Sequence, residues 1–134
     1  MRVLALDYGS ARCGCAVSDP TGILATPIEP ILRPATRKGL ARIGDLVRER
    51  EVKLVVVGLP LSLSGGDSAQ TAETREWAAR LAERLTVPVE LYDERFTTLM
   101  ASRDPGDPEA SEDSRAAAHL LEGWLATRAT REAG

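Results

Sequence analysis

The sequence predicts an α/β protein with one mixed five-stranded sheet and helices on both faces. Three short strand-like runs joined by tight turns open the chain, and helical periods alternate with apolar runs after them. The run KLVVV at Lys53–Val57 is apolar and rich in β-branched residues, which is typical of a parallel strand covered on both faces. An antiparallel β-hairpin unit followed by right-handed crossovers to parallel strands accounts for these observations.

The antiparallel unit is predicted in the first part of the chain. Arg2–Asp7 is an apolar run too short for a helix, and the turn Tyr8-Gly9-Ser10 ends it. A second strand is expected at Cys13–Ser18 and a third near Ile23–Ile28, with a turn at Asp19–Gly22 between them. The short connections favour an antiparallel meander of these three strands.

The remaining elements are predicted from changes of hydrophobic period and from capping residues. Apolar residues three or four positions apart predict helices, and Asp67 suits the N-cap of the second helix. No domain boundary is visible, so residues 1–134 are predicted to form a single domain. The predicted elements are a helix at Thr36–Arg50, a helix from Asp67 to about Leu85, a strand at Val87–Tyr92, a short helix begun by Thr97-Thr98 and a last helix at Glu112–Arg128.

Composition and charge limit the classes of protein to which the chain can belong. Its 134 residues are 43% apolar and 28% charged, and its net charge of −3 disfavours a protein that coats nucleic acid. No apolar run reaches the ~20 residues of a membrane span and no signal segment opens the chain, so we expect a cytoplasmic protein without a membrane partner. We interpret Cys13 and Cys15 as small buried residues, Trp77 and Trp124 as core residues, and His119 as exposed.

Acidic residues follow two of the three predicted parallel strands. Asp7 ends the first strand and Asp93-Glu94 follows the fifth, whereas Gly58-Leu59-Pro60 follows the fourth. The carboxyl ends of parallel strands meet at one edge of a sheet, where binding sites of such folds lie. Of Asp93 and Glu94, only one side chain can face the crevice. Asp7 alone is equally compatible with a carboxylate that caps its own turn.

Asp113 adds a third carboxylate from the last predicted helix. It falls on the same helical stripe as the apolar residues Ala117, Leu120 and Trp124. A carboxylate on the buried side of a helix is unfavourable unless it is paired or bound to a metal. The alternative is an N-terminal aspartate stabilised by the helix dipole, a contribution of about 0.3–1 kcal/mol.

Three carboxylates in one crevice predict a metal-dependent nuclease. Such crowding raises pKa values unless a cation compensates the charge. Two Mg²⁺ or Mn²⁺ ions about 3.5–4 Å apart could activate a water and stabilise the leaving oxygen of a phosphodiester. Oxygen ligands select such hard ions over zinc. The predicted catalytic and metal-binding residues are Asp7, Glu94 and Asp113.

Three further residues are candidates for contacts with nucleic acid. Arg12 lies in the first hairpin turn near Asp7 and is well placed for a backbone phosphate. Arg95 could contact a phosphate or pair with a neighbouring acid. Ser64, in a Ser-Gly-Gly loop before a helix, could present backbone N–H groups to a phosphate, although a plain connection is equally compatible.

Four ordered motifs resemble those of the RuvX/YqgF family and span nearly the whole chain. The opening DYGSARCGCAVSD at Asp7–Asp19 is similar to the family pattern D-x-G-x-x-R-x-G-x-A-x-S-D. The other three motifs are Val57-Gly58-Leu59-Pro60 with Gly65-Gly66, the D-E-R-x-T-T segment at Asp93–Thr98 and the D-x-x-A-A helix start at Asp113–Ala117.

The resemblance implies an RNase H-like fold related to Holliday junction resolvases and a role in maturing the 5′ end of pre-16S rRNA. Carried over by motif, Asp7, Glu94 and Asp113 would be the catalytic metal ligands. The implied partner is structured RNA or, alternatively, branched DNA. A junction resolvase makes two symmetric cuts and would need a homodimer, whereas an RNA-processing enzyme can act as a monomer.

One segment departs from the family pattern, and two functions of another class stay open beside the nuclease. Between Thr98 and Asp113 the family usually has a longer helix rich in Lys and Arg, but the segment here is short and carries four acids against Arg103 alone, namely Asp104, Asp107, Glu109 and Glu112. This departure implies a weaker hold on substrate. It slightly favours a non-catalytic binding module in transcription or ribosome assembly, against which the three carboxylates argue. The pattern D-x-G-x-x-x-x-G at Asp7–Gly14 also fits half of an actin-like or sugar-kinase-like ATP site, which needs a second such domain.

Overall fold

The computed structural model describes residues 1–60, 68–93 and 112–133, with side chains described up to residue 128. These residues form five strands and three helices, numbered here in chain order. Their bounds are Arg2–Asp7 (β1), Arg12–Ser18 (β2), Ala25–Leu32 (β3), Arg37–Glu49 (α1), Val52–Leu59 (β4), Ala69–Arg84 (α2), Val89–Asp93 (β5) and Glu112–Ala133 (α3).

The five strands form one mixed sheet in the order β3-β2-β1-β4-β5. β1 pairs with β2, and β2 with β3, in antiparallel orientation. β4 lies parallel to both β1 and β5. The carboxyl ends of β1, β4 and β5 therefore share one edge with the start of β2 and the end of β3. We call this the carboxyl edge of the sheet, and the predicted mixed five-stranded sheet is confirmed.

Helices cover both faces of the sheet, as predicted. Alternate residues of each strand enter two separate cores because side chains along a strand point to opposite faces. On one face, Leu6 and Cys15 pack with Trp77 of α2. On the other face, Ala5 packs with Trp124 of α3. The burial of both cysteines and both tryptophans is confirmed.

Several element bounds differ from the prediction. β5 spans Val89–Asp93 rather than Val87–Tyr92, and α3 continues to Ala133 rather than ending at Arg128. β3 begins at Ala25 and continues to Leu32, through Pro27 and Pro30, whereas the prediction ended it near Ile28. Proline cannot donate to a ladder, but β3 is an edge strand and tolerates it. The N-cap of α2 is Ser68 rather than Asp67, and its side chain accepts a hydrogen bond from the Thr71 amide.

The prediction that His119 is exposed was wrong. Burial on α3 is continuous from Ala117 to Leu121, and His119 is only 4% exposed. The prediction assumed a helix with one apolar stripe, but small alanines let α3 sit close to the sheet and bury a wider face. Nδ1 of His119 lies 3.8 Å from a carboxylate oxygen of Glu122.

The short helix predicted from Thr97-Thr98 lies outside the described residues. Across the part of the chain that the structure describes, no helix combines the length and the apolar character that a bilayer crossing requires.

Leu6 provides a test of the core between the sheet and helices α1 and α2. It is fully buried, whereas Leu24 is 65% exposed. We expect Leu6→Ala to lower the free energy of unfolding by about 2–5 kcal/mol, because it leaves a cavity in a packed core. The control Leu24→Ala should change it by about 0.5 kcal/mol or less. Urea unfolding followed by circular dichroism measures both, and equal effects would contradict the assigned packing.

Candidate active site at the carboxyl edge of the sheet

Asp7 is the last residue of β1 and lies at the carboxyl edge. It pairs with Gly14 of β2 and is half-buried. Val3 and Ala5 of the same strand belong to the core beneath α3. Strand alternation therefore directs the Asp7 side chain to the α3 face as well.

Asp113 reaches the same edge from the first turn of α3. A Cβ added to Gly14 would lie 1.9 Å from the Asp113 carbonyl oxygen, so only a glycine allows the helix backbone to approach this closely. The next residue, Ser114, is fully buried, and its Oγ accepts a hydrogen bond of 3.2 Å from the Cys15 amide. The start of α3 therefore packs on β2 at Gly14 and is hydrogen-bonded to β2 at the next residue, Cys15.

The carboxylates of Asp7 and Asp113 both raise the pKa of one neighbouring residue, Cys13. The pKa of the Cys13 thiol is raised well above its usual value, first by burial, then by the hydrogen bond and charge of Cys15, and then by the charges of Asp7 and Asp113. Both acids therefore lie within electrostatic range of the same buried sulfur atom. Cys13 itself packs into the core with Trp77, on the face of the sheet opposite to α3. Its sulfur therefore points away from the two acids, and carboxylate oxygens are the donors that face a cation there.

Arg12 lies beside these acids at the start of β2. Its Nε is 3.6 Å from Oδ2 of Asp113, and the two side chains are 61% and 42% exposed. Exposed pairs of this kind contribute about 0–1 kcal/mol, because water screens them. Arg12 can therefore leave Asp113 at little energetic cost when a phosphate or a cation enters.

Tyr8 follows Asp7 but points to the opposite face. Its ring lies 4.5 Å from that of Trp77. Burial, followed by the hydrogen bond and charge of Glu73, raises the pKa of Tyr8 to about 12. The phenol stays protonated near neutral pH and cannot serve as a base there.

β5 brings the third strand end to the carboxyl edge. Asp93 is its last residue and pairs with Leu59 of β4. Two side-chain contacts join this strand to α3. Trp124 donates a hydrogen bond of 2.6 Å to Glu90, and the hydroxyls of Tyr92 and Thr127 lie 3.1 Å apart.

Three of the predicted site residues lie outside the described residues. They are Glu94, the residue after β5, with Arg95 and Ser64. The structure brings Asp7, Asp113 and Arg12 together, and it tests neither the position nor the role of the other three.

The described donors fit a hard divalent cation. Asp7 and Asp113 supply carboxylate oxygens, and Arg12 is the cation paired with one of them. Oxygen-only sites of this kind favour Mg²⁺ or Mn²⁺. Within ranges 1–60, 68–93 and 112–133, no group of three or more His, Cys, Asp or Glu residues is arranged to hold a metal. A complete site would need a further donor from the rest of the chain or from water.

The interpretation of the sequence missed the positioning roles of Gly14 and Ser114. A signal for Gly14 was available, because a glycine inside a strand pattern often marks the close approach of another backbone. Ser114 offered no such signal, because its contact with Cys15 spans 99 residues of sequence.

The chain matches one family model and is similar in sequence to several known proteins. The model of the family described as "RuvX: Holliday junction resolvase" matches residues 1–127. A protein of Koribacter versatilis named "Putative pre-16S rRNA nuclease" is 46% identical over 110 residues, which are 82% of this chain and 72% of that protein. A Mycobacterium leprae protein of the same name is 42% identical over 132 residues, covering 92% and 72% of the two chains.

Solved structures show the same fold at low sequence identity. RuvC of T. thermophilus, solved in complex with a Holliday junction substrate, has a TM-score of 0.63 and 15% identity, with 96% of each chain covered. The fowlpox virus Holliday junction resolvase has a TM-score of 0.57 and 13% identity, covering 95% of this chain and 99% of that one. These likenesses confirm the predicted RNase H-like fold.

A glycine-to-alanine substitution at Gly14 tests the packing of α3 on β2, and the same substitution at Gly44 in α1 is its control. Gly14→Ala would place a methyl group against the Asp113 backbone, so we expect unfolding free energy to fall by about 1–3 kcal/mol or more. Gly44 lies within α1, where an added Cβ meets only the flexible end of Arg48 at 3.7 Å. Gly44→Ala should therefore stabilise the protein by about 0.5–1 kcal/mol. Urea unfolding of both variants is the measurement, and a neutral Gly14→Ala would contradict the close contact.

Proposed function

The chain belongs to the RuvX family of nucleases, and on this basis we propose that it is a divalent-metal-dependent endonuclease that processes the 5′ end of pre-16S rRNA. The observation that carries this proposal is the meeting of Asp7 and Asp113 on either side of Gly14 at the carboxyl edge. Phosphodiester hydrolysis needs localised positive charge, and two convergent carboxylates are suited to hold it.

The proposed metal ligands are Asp7, Asp113 and Glu94. Asp7 and Asp113 approach from a strand end and a helix start, and Glu94 directly follows the last residue of β5 at the same edge. We propose Mg²⁺ or Mn²⁺, with two ions per site. Ions held there would activate water and stabilise charge on the phosphoryl oxygens. The contacts of Ser114 with β2 keep Asp113 in register with Asp7.

Arg12 is proposed to bind a substrate phosphate, together with Arg95 and the loop at Ser64. Its present partner Asp113 is exposed enough to exchange Arg12 for a cation. Release from Asp113 would leave the Arg12 guanidinium free to donate to a phosphate next to the cleaved bond. His119 lies on α3 and is buried, so it is not proposed as a general acid or base.

Two substrates remain distinct possibilities for the same chemistry. The names of the relatives favour the 5′ end of pre-16S rRNA. The description of the family model favours a Holliday junction instead. Resolution of a junction requires paired cuts and therefore a two-fold dimer, whereas RNA trimming does not. We propose the RNA substrate and a cytoplasmic site of action.

Replacement of either described carboxylate tests the proposed chemistry. We expect Asp7→Asn and Asp113→Asn each to lower Mn²⁺-dependent cleavage of a labelled pre-16S RNA by on the order of a hundredfold or more, because each removes charge that holds the cation. Both variants should fold. Single-turnover gel assays measure the rate, and a variant that cleaves at the wild-type rate would remove that residue from the site.

A matched control and a second readout accompany this test. Asp45→Asn removes an exposed carboxylate that pairs with Arg48 on α1, far from the carboxyl edge, and should cleave normally. Mn²⁺ should raise the melting temperature of the wild type and of Asp45→Asn, since a ligand of the native state stabilises it. The rise should be smaller in Asp7→Asn and Asp113→Asn. Equal rises in all four proteins would place the cation elsewhere.

A direct comparison of substrates separates the two proposals. We expect faster cleavage of the pre-16S RNA than of a labelled four-way DNA junction under the same Mg²⁺ or Mn²⁺ concentration. Solution mass measured by light scattering in the same buffer gives the oligomeric state. Symmetric cutting of the junction by a dimer, with no cutting of the RNA, would favour the alternative.

A further inference from the structure

A positively charged groove lies between the edge strand β3 and α1 of this acidic protein, on the face of the sheet opposite to α3. Its volume is about 870 Å³, and the end of β3 and the start of α1 line it. Arg33, Lys38 and Arg42 contribute three cations to its lining, and Glu29 contributes one anion. The local charge is therefore positive although the whole chain carries −3. We call this feature the β3–α1 groove.

The three cations are available to a ligand. Each is exposed, and none forms an ion pair with any residue in the described ranges. Arg37 and Lys38 occupy the first turn of α1, which contains no acidic residue. Cations at the positive end of a helix are unfavourable, by about 0.3–1 kcal/mol each. The fold therefore retains positive charge here against its own electrostatic preference.

Arg33 is held in an unfavourable backbone conformation. Its φ of 46° lies in the left-handed region, which costs a residue with a side chain about 1–2 kcal/mol. Its amide donates to the Ala11 carbonyl at 2.9 Å, and its carbonyl accepts from the Thr36 amide and hydroxyl. A glycine would fit this position without strain, so the fold does not require the arginine side chain.

The Arg33 turn is also rigid. Gly39 of α1 packs directly on it, since an added Cβ would lie 2.2 Å from the Arg33 carbonyl oxygen. The backbone of α1 therefore contacts the turn closely at a glycine, as the backbone of α3 contacts β2 at Gly14. Arg33 directly follows the last residue of β3, so its backbone lies at the end of the groove next to the carboxyl edge.

The groove is within reach of a substrate bound at the carboxyl edge. Arg12 pairs with Leu32 at the end of β3, next to Arg33. β3 lies two strands from β1, so within the sheet the end of β3 is about 10 Å from Asp7 at ~4.8 Å per strand.

The groove opens on the face covered by α1 and α2, because Ile31 and Leu40 belong to the core of that face, whereas Asp7 is directed to the α3 face. A substrate strand would therefore pass over the carboxyl edge to reach the groove. At a rise of about 3.4 Å per nucleotide, the in-sheet distance alone corresponds to roughly three nucleotides, and the path over the edge is longer.

We propose that the β3–α1 groove binds the sugar–phosphate backbone of a substrate strand that passes over the carboxyl edge, at least about three nucleotides from the cleaved bond, through Arg33, Lys38 and Arg42. This inference rests on the proposed nuclease function and adds a substrate contact to it. Contacts to phosphates position a nucleic acid without reading its sequence. The groove would supply backbone affinity that an acidic chain otherwise lacks.

The salt dependence of binding tests the groove. Labelled pre-16S RNA is titrated with the full chain in EDTA, so that no cleavage occurs, at several salt concentrations. For the triple variant Arg33→Gln, Lys38→Gln, Arg42→Gln, we expect the slope of log affinity against log salt to fall in magnitude by about 2 to 3, since three phosphate contacts are lost. The variant Arg33→Lys, Lys38→Arg, Arg42→Lys, which keeps the charges, should retain the wild-type slope.

Two controls separate charge in the groove from charge and stability in general. Arg50→Gln, Lys53→Gln, Arg84→Gln removes three exposed cations at the opposite edge of the sheet and should leave the slope unchanged. Arg33→Gly removes one cation while relieving the left-handed strain. It should fold at least as stably as Arg33→Gln and still lose about one phosphate contact.

The outcomes distinguish this inference from the proposed function. An unchanged slope in the triple groove variant, with normal RNA cleavage by the wild type, overturns the groove and leaves the nuclease proposal standing. A reduced slope without any cleavage by the wild type supports the groove and overturns the nuclease proposal. A wild type that neither binds nor cleaves the RNA overturns both.

Discussion

The contact between Gly14 and the backbone of Asp113 is the constraint on which the site depends. Asp7 pairs with Gly14 across β1 and β2, and the start of α3 rests on that same glycine. The hydrogen bond from the Cys15 amide to Ser114 fixes the helix one residue further on. Breaking it would leave a buried amide unsatisfied, at a cost of about 1–3 kcal/mol. The two carboxylates thus approach each other because the packing of α3 on β2 requires it.

This packing concentrates negative charge at one edge of the sheet. Asp7 and Asp113 both add to the raised pKa of Cys13, and Arg12 pairs with Asp113 through an exposed contact. Folding places the two acids together although their repulsion opposes it. The backbone contacts at Gly14 and Ser114 can outweigh that repulsion in the free protein. A divalent cation bound between the two acids would replace their repulsion by attraction, so the same arrangement would serve as a binding site.

The sequence allowed the carboxyl edge to be predicted, because strand ends follow from local hydrophobic patterns. Asp7 and Asp93 were expected at that edge, and both end strands there. Gly14 within a strand pattern indicated the close approach of some backbone, but not that α3 supplies it, since the contact joins positions 99 residues apart. The burial of His119 was missed for a related reason. The width of a helix's contact face depends on the surface that it meets, not on its own periodicity.

The β3–α1 groove illustrates why net charge is a poor guide to the partners of this chain. The overall charge of −3 disfavours nucleic acid only if charge is spread evenly over the surface. Ion pairing depends on which side chains the fold brings together. Arg48 is paired with Asp45, whereas Arg33, Lys38 and Arg42 are left without partners among the described residues. At a Debye length of about 8 Å, a phosphate in the groove interacts with these cations far more strongly than with distant acids. An acidic chain can therefore present a local surface suited to a polyanion.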